Sequence, residues 1–363
     1  MVRLLAALSF LLLLVVDAMA SDPLVISGQS NQTYSNLSIS SMSGDCVQII
    51  NSTNITIESS QIGPCAGDGV HISGGSGNKV YDSYIHVENL ASGCCDTRDG
   101  VRVDGTSSFD TIQGNVIAFS ETNVRVDSSS HDIFVNGNFL LNPRGPFPRG
   151  EQFQSDTVSN MFVENNYTVS SIDASYPFSG HQEDAINFFN TGPFTAQGNY
   201  VTGGQSSSGC GIIADFSANN GMFKSNLLHN TGQCGISIAD GVGHVIDSNK
   251  ILNENPIAGG GNTALPIWKQ YKPPCGGTGA NQITVSDNIA DERRSDGTHY
   301  GFWNGGGCDR LNLVNNTFNL AAYNILHPWT IPPPAVPPLP VNCVVVSPYT
   351  NNTSMGSCSG SPP

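Results

Sequence analysis

The sequence predicts an all-β chain coiled as a single-stranded parallel β-helix, a solenoid of about ten rungs over residues 21–320. Three observations predict it. An asparagine recurs at intervals of roughly 23 to 27 residues, at Asn115, Asn138, Asn165, Asn199, Asn226, Asn249, Asn288 and Asn315, with Gln61 and Ser83 in the same place upstream. A branched apolar residue stands 13 or 14 places earlier, at Val47, Val70, Val101, Val124, Ile186, Ile212 and Ile236. Between these columns lie short β-type segments and turn residues, with no helical period. Each unit has room for three short strands and three turns, and buried Asn side chains can hydrogen-bond from one rung to the next.

The elements follow in chain order. Arg3, the apolar run from Leu4 to Val16 and the small residues Ala18-Met19-Ala20 read as a signal peptide over residues 1–20. Its apolar run is too short to span a membrane. Ten cysteines, all after that segment, suit an oxidising compartment, so a secreted, extracellular protein is expected. Glycosylation sequons agree, with glycans expected at Asn31, Asn36, Asn51, Asn54, Asn166 and Asn351; Asn315 is assigned to the buried column instead. A net charge of −15 argues against nucleic acid and anionic membranes as partners, and a monomer is expected. Residues 321–363 form a Pro-rich tail, marked by Ile331-Pro332-Pro333-Pro334 and Pro337-Pro338, with Cys343 and Cys358 closing a small loop and no signal for a lipid anchor.

Cysteine spacing supports the register independently. Cys210 and Cys234 each stand two places before an alignment residue, and stacked strands lie about 4.8 Å apart, so a disulfide between neighbouring rungs is expected. Cys46 with Cys65, and Cys275 with Cys308, are further pairs. Adjacent Cys94 and Cys95 have no assigned partner.

If the alignment residue points inward, strand alternation sends the next side chain outward. Phe153 is the inward residue of the rung between Val124 and Ile186. Three polar columns then share one face. Two places before the alignment residue stand Asp45, Asp68, Asp99, Thr122, Glu151, Asp184, Cys210 and Cys234. One place after it stand Gln48, His71, Arg102, Arg125, Gln154, Asn187 and Ser237. Three places after it stand Ser73, Asp104, Asp127, Asp156 and Asp215. An Asp before a Gly at the start of a strand commonly caps a turn, which is the plain reading of Asp45 and Asp68. Arg102 and Arg125 on neighbouring rungs need counter-charges, or a ligand, to sit together. His181-Gln182-Glu183-Asp184 is the richest stretch, with paired acids and a histidine where a turn needs only one of them.

At these residues the chain resembles the right-handed parallel β-helix superfamily of pectin-lyase-like proteins, which includes pectate lyases, polygalacturonases, other endoglycosidases and uronate epimerases. The resemblance covers nearly the whole solenoid and is architectural. Glu183-Asp184-Ala185-Ile186 occupies a place like the Asp-Asp-Cys of polygalacturonases, and Glu151 or Asp99 could supply the earlier acid. Gln233-Cys234-Gly235-Ile236 stands where the family has Gly-His-Gly, with Cys234 in the histidine's place. No Arg-Ile-Lys follows. The resemblance implies an enzyme acting on an extracellular or cell-wall polysaccharide.

Glycoside hydrolysis needs two carboxyl groups about 5–9.5 Å apart, which acids on one rung or adjacent rungs supply. Glu183, Asp184, Glu151, Asp99 and His181 are therefore the candidate catalytic residues. Glu183 or Glu151 would be the acid, and Asp184 or Asp99 the base or nucleophile. Arg102, Arg125, Asn187, His71, Trp268, Tyr271 and Trp303 are candidate substrate contacts, the aromatics because flat apolar rings suit sugars. A cap over the end of the solenoid would use the same late aromatics. His299 and Arg293-Arg294 would line the far end of the groove. Two alternatives stay open. A uronate lyase or epimerase would hold Ca²⁺ at Asp104 and Asp127, with Arg102, Arg125 or Lys79 neutralising the substrate or abstracting its proton. A non-catalytic, glycan-binding or structural β-helix would use the same ladders without turnover.

Overall fold

In the computed structural model, residues 23–87, 98–145, 150–170, 183–204, 208–256 and 262–318 are described. They wind as a parallel β-helix with three strand faces per turn. The first face runs through Leu24–Ser27, Val70–Ser76, Val101–Asp104, Val124–Val126, Phe153–Asp156, Ile186–Phe189, Cys210–Asp215, Cys234–Ile238, Leu265–Trp268 and Phe302–Gly306. The second includes Lys79–Tyr81, Thr111–Gln113, His131–Asn136 and Ser159–Glu164, and the long strand Val47–Glu58 contributes to both. The third face is an 11-stranded sheet from Ser38–Ser41 to Thr317–Phe318. Among the described residues, one short 3₁₀ turn, Gly279–Asn281, interrupts the coil.

The alignment column holds without a slip. Val47 pairs with Val70, Val70 with Val101, Val101 with Val124, Val124 with Phe153, Phe153 with Ile186, Ile186 with Ile212 and Ile212 with Ile236. Every one of these side chains is fully buried. The core is a set of such columns, one per face, so burial stabilises each turn only through its neighbours.

The asparagine ladder is real, with a one-residue correction. Asn115, Asn138, Asn166, Asn199, Asn226, Asn249 and Asn288 are buried, and each donates its backbone N–H and its Nδ2 to the Oδ1 of the next member at 2.9–3.1 Å, the last to Asn316. The members are therefore Asn166 and Asn316, not Asn165 and Asn315. Upstream, Ser60 rather than Gln61 continues it, through Ser60 N–H to Ser83 Oγ and Ser83 N–H to Asn115 Oδ1. The reason is the turn. The residue before each member has positive φ, at Gly114, Gly137, Asn165, Gly198, Ser225, Ser248, Asp287 and Asn315. This region suits Gly and tolerates Asn or Asp, so the first of two consecutive asparagines makes the turn and the second points inward. Asn166 thus cannot present its side chain for glycosylation, and Asn315 is exposed. Asn31, Asn36, Asn51 and Asn54 are exposed; Asn351 lies outside the described residues.

Disulfides join Cys46 with Cys65, Cys210 with Cys234 and Cys275 with Cys308, at Cα separations of 5.6, 4.5 and 4.4 Å. Cys94, Cys95, Cys343, Cys358, the leader and the tail lie outside the described residues.

Candidate functional site

The first face carries two polar centres, both built by the ladder geometry. Along its leading edge the acids cap the turns. Asp68 N–H donates to Asp45 Oδ1 at 2.8 Å, Asp99 N–H to Asp68 Oδ1 at 2.7 Å, Thr122 N–H to Asp99 Oδ1 at 3.3 Å and Cys210 N–H to Asp184 Oδ1 at 2.7 Å. Glu151 joins the column through Thr122 Oγ1, which donates to Oε2 at 3.0 Å. The capping expectation extends well beyond Asp45 and Asp68. Each cap uses one oxygen and leaves the other for the face.

The first centre spans the early rungs. His71 Nε2 lies 3.1 Å from Asp104 Oδ2, Arg102 Nε 3.1 Å from the same oxygen, and Arg125 Nε 2.9 Å from Asp127 Oδ2. Arg102 also reaches Asp127 Oδ2 at 3.4 Å. Asp104 is thus paired with His71 and Arg102, and Asp127 with Arg102 and Arg125. Burial and the charge of Asp68 push the Asp99 carboxyl well above its usual range, while Arg125 and Arg102 pull it down. Asp104 is held below its usual value: burial raises it, but the His71 and Ser73 hydrogen bonds outweigh that. Lys79 lies on the second face and does not join this group.

The second centre sits three rungs on. Asp184 is buried, and its Oδ2 accepts Asn187 Nδ2 at 3.0 Å. Burial, then the charges of Glu183, Asp215 and Glu151, drive its carboxyl well above the usual range. Glu151 Oε1 accepts Gln154 Nε2 at 3.3 Å. Asp215 is half-buried and raised by burial, while its bonds to Phe216 N–H and the Tyr271 hydroxyl pull the other way. Burial, then Asp215 and Glu183, push Tyr271 up to about 12. Tyr271 therefore stands within the field of both acids.

Aromatic rings flank these acids. Phe189 stacks on Phe216 at 5.1 Å, Phe216 meets Tyr271 edge-on at 5.3 Å, and Trp268 lies 6.4 Å from Trp303. Phe216 and Trp303 are 36% and 43% exposed, so a flat apolar strip faces solvent beside the carboxylates. Trp268 also packs on the Cys210–Cys234 disulfide.

The structure thus brings Glu183, Asp184, Glu151, Asn187, Tyr271 and Trp268 together, and groups Asp99, His71, Arg102, Arg125, Asp104 and Asp127 separately. His181 lies outside the described residues. His299 pairs with Asp291 at 2.7 Å, and Arg294 covers the Tyr300 ring at 3.7 Å, at the corner after strand Ile289–Glu292. Sequence reasoning did not single out Phe189 or Phe216, and named Asp215 only as a column member. The signal was present, since Phe189 stands in that column, between Asp156 and Asp215.

A family described as "Right handed beta helix region" matches residues 24–100. The fold is the right-handed parallel β-helix. Solved structures agree along most of the chain. The Dettilon tailspike protein aligns with a TM-score of 0.50 and 13% identity, covering 82% of this chain and 60% of its own. This chain therefore spans about three fifths of the tailspike's length. A mannuronic acid specific polysaccharide family 6 lyase from human gut microbiota aligns with a TM-score of 0.50 and 12% identity, covering 84% of this chain and 79% of its own. At such identities the likeness is one of β-helix architecture. No curated protein sequence matches the chain. Among the described residues, no helix is long and apolar enough to cross a membrane.

Proposed function

We propose that the protein is a secreted enzyme that cleaves an extracellular polysaccharide by glycoside hydrolysis at the Glu183–Asp184–Asp215 centre. One observation carries the reading: Phe216, whose N–H donates to Asp215 Oδ1 at 2.7 Å, stacks on Phe189 and meets Tyr271 edge-on, which sets an exposed aromatic strip directly beside the Asp215 carboxylate. The arrangement suits a sugar ring seated on Phe216 and Tyr271 between two carboxyl groups. Asp215, half-buried and raised by burial, donates the proton to the leaving oxygen. Glu183 acts as base or nucleophile. Asp184 is a positioning residue here, because both its oxygens already accept N–H groups from Cys210 and Asn187. The signal-like leader and the three disulfides support secretion.

The test is a polysaccharide panel scored for new reducing ends and for absorbance near 235 nm. Hydrolysis gives the first without the second. Asp215→Asn and Glu183→Gln are each expected to reduce the rate at least about 100-fold while binding persists. Full activity in either variant overturns the assignment. Elimination is the second reading, favoured by the Arg102 and Arg125 guanidinium groups on paired strands, which offer a seat for a uronate carboxylate. Growth of the 235 nm band would select it. Binding without turnover would select the non-catalytic reading.

A further inference from the structure

We propose that Asp45, Asp68 and His71 form a binding site for one divalent transition-metal ion of the Zn²⁺ or Mn²⁺ class, on the early rungs of the first face. The three residues come from the starts of adjacent rungs, Asp45 just before Val47–Glu58 and Asp68 and His71 at either side of the start of Val70–Ser76. Each offers one ligand atom, and the three atoms lie within 4.8 Å of one another. His71 Nδ1 stands 3.3 Å from Asp45 Oδ2 and 3.9 Å from Asp68 Oδ2. An ion bonded at about 2.0–2.2 Å separates neighbouring ligand atoms by roughly 3.0–3.6 Å, so His71 Nδ1 already stands near ligand spacing from both acids, and the widest pair, within 4.8 Å, closes by up to roughly an ångström on binding.

Three further observations point to an ion rather than to a plain ion pair. Asp68 is fully buried, and its Oδ2 has no hydrogen-bond partner among the described residues. The opposite oxygens of both acids are fixed by backbone caps, Asp45 Oδ1 by Asp68 N–H and Asp68 Oδ1 by Asp99 N–H, which leaves Asp68 Oδ2 facing His71 and Asp45 Oδ2 shared between Gln48 Nε2 at 2.9 Å and His71 Nδ1 at 3.3 Å. His71 Nε2 lies 3.1 Å from Asp104 Oδ2, and Arg102 Nε holds that oxygen at 3.1 Å, giving the carboxylate behind the imidazole that orients metal-bound histidines. His71 keeps 23% of its side chain exposed, so an ion there retains open positions for water. The imidazole nitrogen favours a borderline metal over Ca²⁺. The ion takes the place of a proton on Nδ1, so uptake releases protons. This site stands whether or not the polysaccharide reading does.

Calorimetry with ZnCl₂ on tag-free protein, repeated with MnCl₂ and CaCl₂, tests it. One Zn²⁺ per chain is expected, bound at least 100-fold more tightly than Ca²⁺. Asp68→Asn keeps an oxygen for the Asp99 cap, and this variant and His71→Gln should each weaken Zn²⁺ at least 100-fold. His131→Gln, which disturbs the separate His131–Asp132 pair, should leave it unchanged. Circular dichroism confirms that each variant is folded. With Co²⁺ as probe, the visible band of the bound ion should shift in His71→Gln. Unchanged affinity in His71→Gln, an unmoved Co²⁺ band, or no single-site binding in the parent chain would overturn the proposal.

Discussion

The backbone N–H and the Nδ2 of Asn138 both donate to Asn166 Oδ1, at 3.0 Å each, tying two turns together through one buried oxygen. Asn166 Nδ2 in turn donates to Val135 O at 2.9 Å. Asn166→Ala strands buried donors and an acceptor, each worth roughly 1–3 kcal/mol, so a loss of about 2–4 kcal/mol is expected. Its neighbour Asn165 is exposed, and Asn165→Gly, which keeps the positive φ, should stay within about 0.5 kcal/mol. Urea midpoints of the two variants check the contrast.

The same register sorts the sequons. Protein secreted from a glycosylating host should carry glycan at Asn315 and at the exposed Asn31 and Asn36, with none at Asn166. Site-by-site mass spectrometry reads this directly. Occupancy at Asn166 would mean that the ladder is broken at that rung.

Two buried groups give the fold opposite pH responses. Burial raises Asp110 to about 7 from an ordinary 3.8, so its contribution is complete below about 3.8 and is lost as pH rises through 7. Burial lowers His244 to about 4 from 6.5, so its contribution is present above 6.5 and is lost as pH falls through 4. Asp110→Asn keeps an acceptor for the Asn78 N–H and should raise melting temperature at pH 8 while changing it little at pH 4. Equal shifts at both pH values would contradict the assignment.

The aromatic strip should reveal itself as binding rather than chemistry. Phe216→Ala removes the ring between Phe189 and Tyr271, and a KM increase of about 5- to 10-fold with kcat nearly unchanged is expected. A fall in kcat alone would place Phe216 in the reaction instead.

Much of this was legible in the sequence because a coil repeats its physics. Val101 and Val124, like Ile212 and Ile236, fall in one column by spacing alone, and strand alternation then places Arg102, Arg125 and Ser237 outward. The ladder was legible only to within one residue where two asparagines adjoin. Counting 13 places from Phe153 reaches Asn166, and the Gly preceding Asn115, Asn138 and Asn199 already marks the turn. The division of the face into two centres was not legible. It depends on which oxygen of each acid a backbone N–H occupies, as with Asp68 and Asp184, and spacing carries no information on that. Phe216 was hidden for a related reason, since it lies in a turn with positive φ, beyond the strand whose alternation set the columns.

Each turn returns to the register of the one before, so the face behaves as a measuring stick divided into whole turns. Duplicating or deleting one complete rung would lengthen or shorten it by about 4.8 Å without rotating the remaining side chains. Partial insertions have to be absorbed at corners, where successive ladder asparagines lie 23 residues apart in some turns and 39 in another. Descent with modification in this molecule thus has two separate dials: rung number sets how much of a partner is spanned, and corner length sets what stands at its rim.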